Sequence, residues 1–491
     1  MVVRTNPNGY DSNEDCQVKA WNWMAMAVVF GLSGCVTPSA GQLRDHASSL
    51  YQARTVAPAP SGAKPEATNG GLVDLLSRPV DADAAVRIAL LNSPRVTSIY
   101  TRIGFARADL YDAARLSNPT LGYVSVAGGT QGRKSDWSLA QNFTELLFLR
   151  SRRADSESRV LRAEQQVARE LLGVEADVRA AQWRFVGSRT VSEMRDRIAR
   201  SNEISATYAQ QLFDAGNISR LQLARMREAA DLAKSDALRA RANETADRNA
   251  LLTLLGIGSD QHIDLVGEYA MPSANMPVVK DVQSWALENR LDLLSAREAL
   301  RFASVARTRA RRWRGFGDSS IGVAVEKEGV NGSASSETRV GPSASLAIPI
   351  FNQGAGTAGR AQSTVDELAA EVRSIELSIG NDVATRIAAL DAARESIALY
   401  REKLVPEQRT IVEESQKQQN YMLIGTFELL SAKQHQYEGY EAYIGALRDY
   451  WVAYVELLQA TGGRYPGLEG TKGAPRVEPF TEIESAPGEH P

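Results

Sequence analysis

The stretch Val340-Gly341-Pro342-Ser343-Ala344-Ser345-Leu346-Ala347-Ile348-Pro349-Ile350 decides the fold. One side carries Val340, Pro342, Ala344, Leu346, Ile348 and Ile350, and the other carries Gly341, Ser343, Ser345 and Ala347. This is the period-two alternation of a strand with one apolar face. Ile321, Val323 and Val325 alternate with Gly322 and Ala324 in the same way. A run of about 9 to 11 such residues crosses a bilayer when tilted. Two such pairs of short runs are expected along the chain. Four short strands cannot close a barrel, and lipid does not tolerate an open sheet edge. Either the strands pack in a soluble domain, or several chains share one barrel.

Outward from the strands the sequence repeats itself. Ala89-Leu90-Leu91-Asn92 returns as Ala286-Leu287-Glu288-Asn289, and Leu121-Gly122-Tyr123-Val124 as Ile321-Gly322-Val323-Ala324. Ser138-Leu139-Ala140 returns as Ser345-Leu346-Ala347, Gly216-Asn217-Ile218 is matched with Gly425-Thr426-Phe427, and the Leu-rich end at Gly256 with that at Gly462. Five matches in one order, at offsets of about 197 to 209, point to two halves of one design, 81–278 and 279–462. Each half reads as a helix (83–116, 279–314), a strand pair, a very long helix (144–213, 357–422), a Gly-containing turn and a closing helix. About 65 helical residues extend roughly 100 Å, far beyond an ordinary globular helix of about 12 residues. Such lengths belong to helices packed side by side, and Leu161, Val167, Leu171, Val174 and Val178 supply apolar positions every three or four residues.

Composition narrows the function. The 491 residues are 43% apolar and 23% charged, so wholesale disorder is excluded. Lys and Arg (56) balance Asp and Glu (59), which argues against a nucleic-acid partner. Two Cys exclude a disulfide scaffold. The four scattered His, at 46, 262, 435 and 490, predict no metal site. No Gly-x-Ser-x-Gly, His-Glu-x-x-His or phosphate-loop motif is present, so no catalytic residue, no enzyme activity and no cofactor is expected. Gly354-x-Gly356-x-x-Gly359 fits a dinucleotide fingerprint, but a short crossover helix and a second parallel strand do not follow it.

The beginning reads as an address. Lys19, an apolar stretch over 21–32 and Leu32-Ser33-Gly34-Cys35 describe a secretory signal over 1–34. The polar residues 1–17 ahead of it are longer than such a leader requires. The Leu-Ser-Gly-Cys end resembles a bacterial lipobox, which implies lipidation of Cys35, and Val36 in place of Asp implies the outer membrane. Several acyl chains together anchor stably. The segment 35–80 is expected to be a lipidated stretch and flexible linker, Pro/Gly-rich over 58–71, and 463–491 a disordered tail.

Taken together, the lipobox, the duplicated half, the strand pair, Pro349-Ile350-Phe351-Asn352-Gln353-Gly354 and the run Tyr421 to Ala432 (YMLIGTFELLSA) resemble the outer-membrane factor (TolC-like) family. The turn sequences and the Gly341-Pro342 pair are most similar to its heavy-metal efflux branch, as in CzcC; Thr144-Glu145-Leu146-Leu147 departs from the Phe351-Asn352-Gln353-Gly354 pattern. The resemblance implies a mainly α fold with a small β part, in which long coiled-coil helices form a periplasmic α-barrel. Four transmembrane strands per chain then contribute to a trimeric twelve-strand β-barrel. It implies a passive exit duct of a tripartite efflux pump for heavy-metal cations or small toxic compounds. The implied partners are a homotrimer, a periplasmic membrane-fusion adaptor, an inner-membrane resistance-nodulation-division transporter and outer-membrane lipid. The alternatives are a type I secretion duct for polypeptides and a periplasmic adaptor or coiled-coil scaffold lipoprotein.

The resemblance also places sites. Gly216, Asn217, Ile218, Ser219, Gly425, Thr426, Phe427 and Glu428 are expected at helix tips that meet the adaptor, with the glycines supplying positive φ. Glu407, Glu413 and Glu414 are candidates for an acidic gate, three copies of each carboxylate ringing a narrow end. Phe351, Asn352 and Gly354 mark the junction where strand turns into helix.

Overall fold

The computed structural model describes residues 38–55, 74–127, 133–261, 263–267, 269–272, 276–313, 319–329, 336–466, 468 and 476–477. The signal, Cys35 and most of the linker lie outside them. The chain forms two compact units: 107–157 and 317–347 with the first residues to 42, and the remainder.

The first unit is built on a four-stranded antiparallel sheet of β1 (Thr120–Ala127), β2 (Arg133–Asn142), β4 (Ser319–Gly329) and β5 (Ser336–Leu346), in the order β1-β2-β4-β5. The strand expected over 340–350 starts earlier, at Ser336, and stops at Leu346. Among the described residues its continuation Ala347-Ile348-Pro349 has no ladder partner, since β4 begins opposite Leu346 at Ser319, and Pro349 has no N–H to offer one.

The second unit is helical. Short α1 (Ala40–Gln52) precedes α2 (Ala82–Asn92) and α3 (Pro94–Ala113). The single helix expected over 83–116 is thus two. Pro94 forces Ser93 into an extended conformation (ψ 126°). The matching break between α6 (Val279–Asn289) and α7 (Leu291–Arg312) falls at Arg290 without any proline (ψ 123°). There the guanidinium holds Asp292 at 2.6 Å and Asp382 at 3.4 Å.

α4 (Phe143–Asp214) is one unbroken helix of 72 residues, followed by α5 (Arg220–Leu255). Buried residues along it fall at Val160, Glu164, Val167, Leu171, Val174, Val178, Ala181 and Phe185. The alternating four-and-three spacing is a coiled-coil seam. A second buried row, Ala168, Leu172, Glu175, Gln182 and Val186, leaves little of this stretch to solvent. The two glutamates in these rows are each partnered. His46 Nδ1 lies 2.7 Å from Glu164. Glu175 accepts hydrogen bonds from Tyr51 Oη (2.8 Å) and Thr55 Oγ1 (2.6 Å) and pairs with Arg179. These bonds tie α1 to α4, in a segment to which the sequence reading assigned no element.

The second long helix is interrupted. α8 (Ala355–Leu399) passes through a π-turn, Tyr400–Leu404, into α9 (Val405–Asn420). Pro406 is the cause: its ring would clash with the carbonyl four residues back, and the wider turn, with Val405 N–H donating to Tyr400 O, makes room. α10 (Thr426–Ala460) closes the half and buries Tyr443, Leu447, Trp451 and Leu458. Trp451 stacks on Trp183 (5.1 Å), which stacks on Tyr269 (5.5 Å). Tyr269-Ala270 form β3, and Arg476-Val477, inside the tail expected to be disordered, pair with them as β6.

Candidate functional site

The register of the sheet sorts its residues onto two faces. One row runs Leu121–Leu139–Val323–Pro342, the next Tyr123–Trp137–Val325–Val340, and a third Gln141–Ile321–Ala344. Among the described residues nothing covers this face: Leu121, Tyr123, Trp137, Leu139, Ile321, Val323, Val340 and Leu346 are all exposed. The row next to Tyr123–Trp137 is polar: Ser125, Ser135, Lys327 and Thr338. The two rings pack at 4.4 Å, at the margin of the apolar band.

The opposite face carries Gly122, Ser138, Gly322, Ala324, Gly341 and Ser343, with Lys134, Asp136, Glu326, Glu328 and Arg339 toward the loops. Lys134 pairs with Glu326 at 2.5 Å. Val124 and Val126 are the apolar exceptions. Gly322 is required by space: a Cβ there would stand 2.1 Å from Leu139 O. Among the described residues the outer edges of β1 and β5 have no strand beside them.

In the second unit the expected tip residues fall at the ends of two helical hairpins. α4 ends in a glycine cap. Gly216 has φ +77°, Gly216 N–H donates to Phe213 O and Asn217 N–H to Leu212 O. Ser219 then caps α5 in a reciprocal box with Gln222. At the second hairpin the same pair of bonds runs from Met422 to Gln419 and from Leu423 to Gln418, and Met422, at φ +59°, takes the left-handed position. Gly425 does not: it has φ −82° and caps α10. Gly425 therefore stands where Ser219 stands, and the pairing of Gly216 with Gly425 is three residues out.

The shift brings out partners that the sequence reading missed. Ile424 corresponds to Ile218, both half-buried, and Leu221 corresponds to Phe427, both exposed. Tyr421, Met422 and Leu423 are exposed beside them, Met422 at 92%. The Arg225 guanidinium lies 4.8 Å above the Phe427 ring, so the two hairpins touch near their ends. Asn217, Thr426 and Glu428 are exposed at the same tips.

Glu407, Glu413 and Glu414 are exposed on α9, and Glu414 pairs with Lys417 at 2.7 Å. Glu407 and Glu414 lie two turns apart on one side of the helix. At the junction, Gly354 has φ +73° and begins α8, and its N–H donates to Asn352 Oδ1 at 3.1 Å. Phe351 is 99% exposed. The first half has no such loop, because β2 passes directly into α4 at Phe143. That is why Thr144-Glu145-Leu146-Leu147 lacks the Phe-Asn-x-Gly pattern.

Solved structures match this arrangement. A membrane protein from Pseudomonas aeruginosa superimposes with a TM-score of 0.63 at 18% identity, over 78% of this chain and 93% of its own. The outer membrane protein VceC from Vibrio cholerae gives 0.63 at 14% identity, over 78% and 96%. The CmeC outer membrane channel of Campylobacter jejuni gives 0.65 at 14%, over 82% and 88%. The chain has the TolC-like outer-membrane factor fold. No family profile matches the sequence, and no curated protein matches it. The likeness is therefore one of architecture, mainly helical with a small sheet.

Proposed function

We propose that the chain is the outer-membrane exit channel of a tripartite efflux pump, a passive conduit in which three copies close one twelve-strand barrel. The observation that carries this is the sheet itself, whose apolar face is uncovered and whose two edges are unpaired among the described residues, and whose opposite face is mostly small and polar. Water does not favour so large an exposed apolar patch, and lipid does not allow the open edges. Association of copies around a wet lumen answers both. The Tyr123–Trp137 pair at the band's margin matches the aromatic girdle of membrane barrels. A periplasmic adaptor, the other reading of the long helices, would carry compact domains of short strands.

The hairpin tips, with Ile218, Leu221, Met422, Ile424 and Phe427, are the surface for a periplasmic membrane-fusion adaptor, which connects to an inner-membrane resistance-nodulation-division transporter. Glu407, Glu413 and Glu414, repeated threefold, form the acidic gate. Cys35 carries the lipid anchor. The cargo is heavy-metal cations or small toxic compounds, and the duct performs no chemistry on it.

The test is reconstitution of the full-length chain. Detergent-extracted protein is expected to size as a trimer and to raise conductance in planar bilayers in discrete steps. A water-soluble monomer that leaves the bilayer silent would overturn the reading.

A further inference from the structure

The last turns of α7 and the residue after them, 302–313, hold Arg307, Arg309, Arg311 and Arg312 and no acidic residue. Several arginines elsewhere on the helices meet carboxylates: Arg95 with Asp177 (2.7 Å), Arg179 with Asp83 (2.7 Å), Arg297 with Glu376 (2.8 Å) and Arg301 with Glu298 (2.5 Å). Among the described residues the four on α7 have no carboxylate partner. Arg307 and Arg311 reach only the neutral Gln362 Oε1, at 3.4 and 3.3 Å. Like charges gathered this closely on one helix repel, and their field calls for an anion from outside the chain.

Apolar groups accompany them. Val305 and Trp313 are exposed on the same stretch. On the other arm of the hairpin, Ile348, Ile350 and Phe351 are bare. Ser319 pairs with Leu346, so both arms leave the same end of the β4–β5 ladder. Arg312 is seven residues before that rung and Phe351 five residues after it. Indole, bare aliphatic and phenyl groups beside arginines without internal counter-ions are the composition of a chain segment at a bilayer surface. A guanidinium fork suits a phosphate diester there.

We infer that Arg307, Arg309, Arg311 and Arg312 seat the phosphate groups of anionic phospholipid, an inference that rests on the channel reading above. The channel then prefers anionic lipid.

The test compares insertion of the full-length chain into vesicles of phosphatidylcholine alone and vesicles with about a quarter phosphatidylglycerol. Each surface arginine is worth roughly fivefold in membrane affinity. The native chain is therefore expected to favour the anionic vesicles at least tenfold, and to lose that preference in about 0.5 M salt. Arg309→Gln/Arg311→Gln/Arg312→Gln removes most of the preference, whereas the corresponding triple lysine variant, which keeps the charge, holds it within about threefold. Equal insertion of the native chain into both vesicles overturns the inference, leaving the arginines to a protein partner or to solvent, and leaves the channel reading intact. Loss of the preference in the lysine variant overturns it as well. Failure of the native chain to insert into either vesicle overturns the channel reading itself.

Discussion

Val323 and Ala324 are adjacent in sequence and belong to opposite faces of the sheet. Val323 lies in the row Leu121–Leu139–Val323–Pro342, between the Tyr123–Trp137–Val325–Val340 row and the pair Ile321–Ala344; Ala324 pairs with Ser138 and Gly341, one step from Asp136 and Glu326. An arginine at the lipid midplane of a β-barrel costs about 2–4 kcal/mol. Val323→Arg places one in each copy, so a three-copy barrel carries about 6–12 kcal/mol, comparable with the whole stability of a typical domain. Ala324→Arg sends the same charge into the polar face beside two carboxylates, where surface substitutions change stability by about 0.5 kcal/mol or less. Heat-resistant trimer recovered from outer membranes is the assay. Val323→Arg is expected to abolish it, and Ala324→Arg to keep it while shifting the channel toward anions. Equal assembly of the two variants, or a worse outcome for Ala324→Arg, would show that the faces have been assigned wrongly.

Two further predictions concern the helical unit. Met422 holds a left-handed conformation that costs a side-chain-bearing residue about 1 kcal/mol, so Met422→Gly is expected to slow hydrogen exchange of the amides over 418–424; faster exchange would refute the strain. Burial raises the Glu164 carboxyl above its ordinary range, with the His46 hydrogen bond opposing. A raised folded value means that the group's contribution to stability is full below the unfolded value of about 4.3 and is lost as pH rises through the folded value. Glu164→Gln is expected to flatten the fall of the unfolding midpoint as pH rises above about 4.3, and an unchanged slope would exclude Glu164 as its source.

The alternation of Val323, Val325, Val340 and Pro342 against glycine, serine and alanine was legible because a strand has only two faces and their contrast is local. The lengths of α4 and of the α8–α9 run were legible from the same kind of short-range repetition. What escaped was conformation imposed from elsewhere. A methionine in the left-handed region has no sequence signal, so Gly425 attracted the role that Met422 plays. Pro406 was visible, yet whether a long helix ends or widens at a proline depends on what holds its two flanks, and here α10 packs along them. The membership of Glu164 and Glu175 in the buried rows was hidden for a related reason: carboxylates read as surface until His46, Tyr51 and Thr55 arrive from more than a hundred residues away.

The unpaired margins of β1 and β5 also set a timetable. Secondary structure in the helices needs nothing beyond their own backbone, so they can form while the chain is alone. The sheet cannot finish that way, since dissolving it singly in hydrocarbon would strand a row of amide and carbonyl groups along each rim. In the proposed channel, encounter between copies therefore comes before, or together with, entry into the bilayer. Biogenesis should accordingly depend steeply on how many chains are present at once.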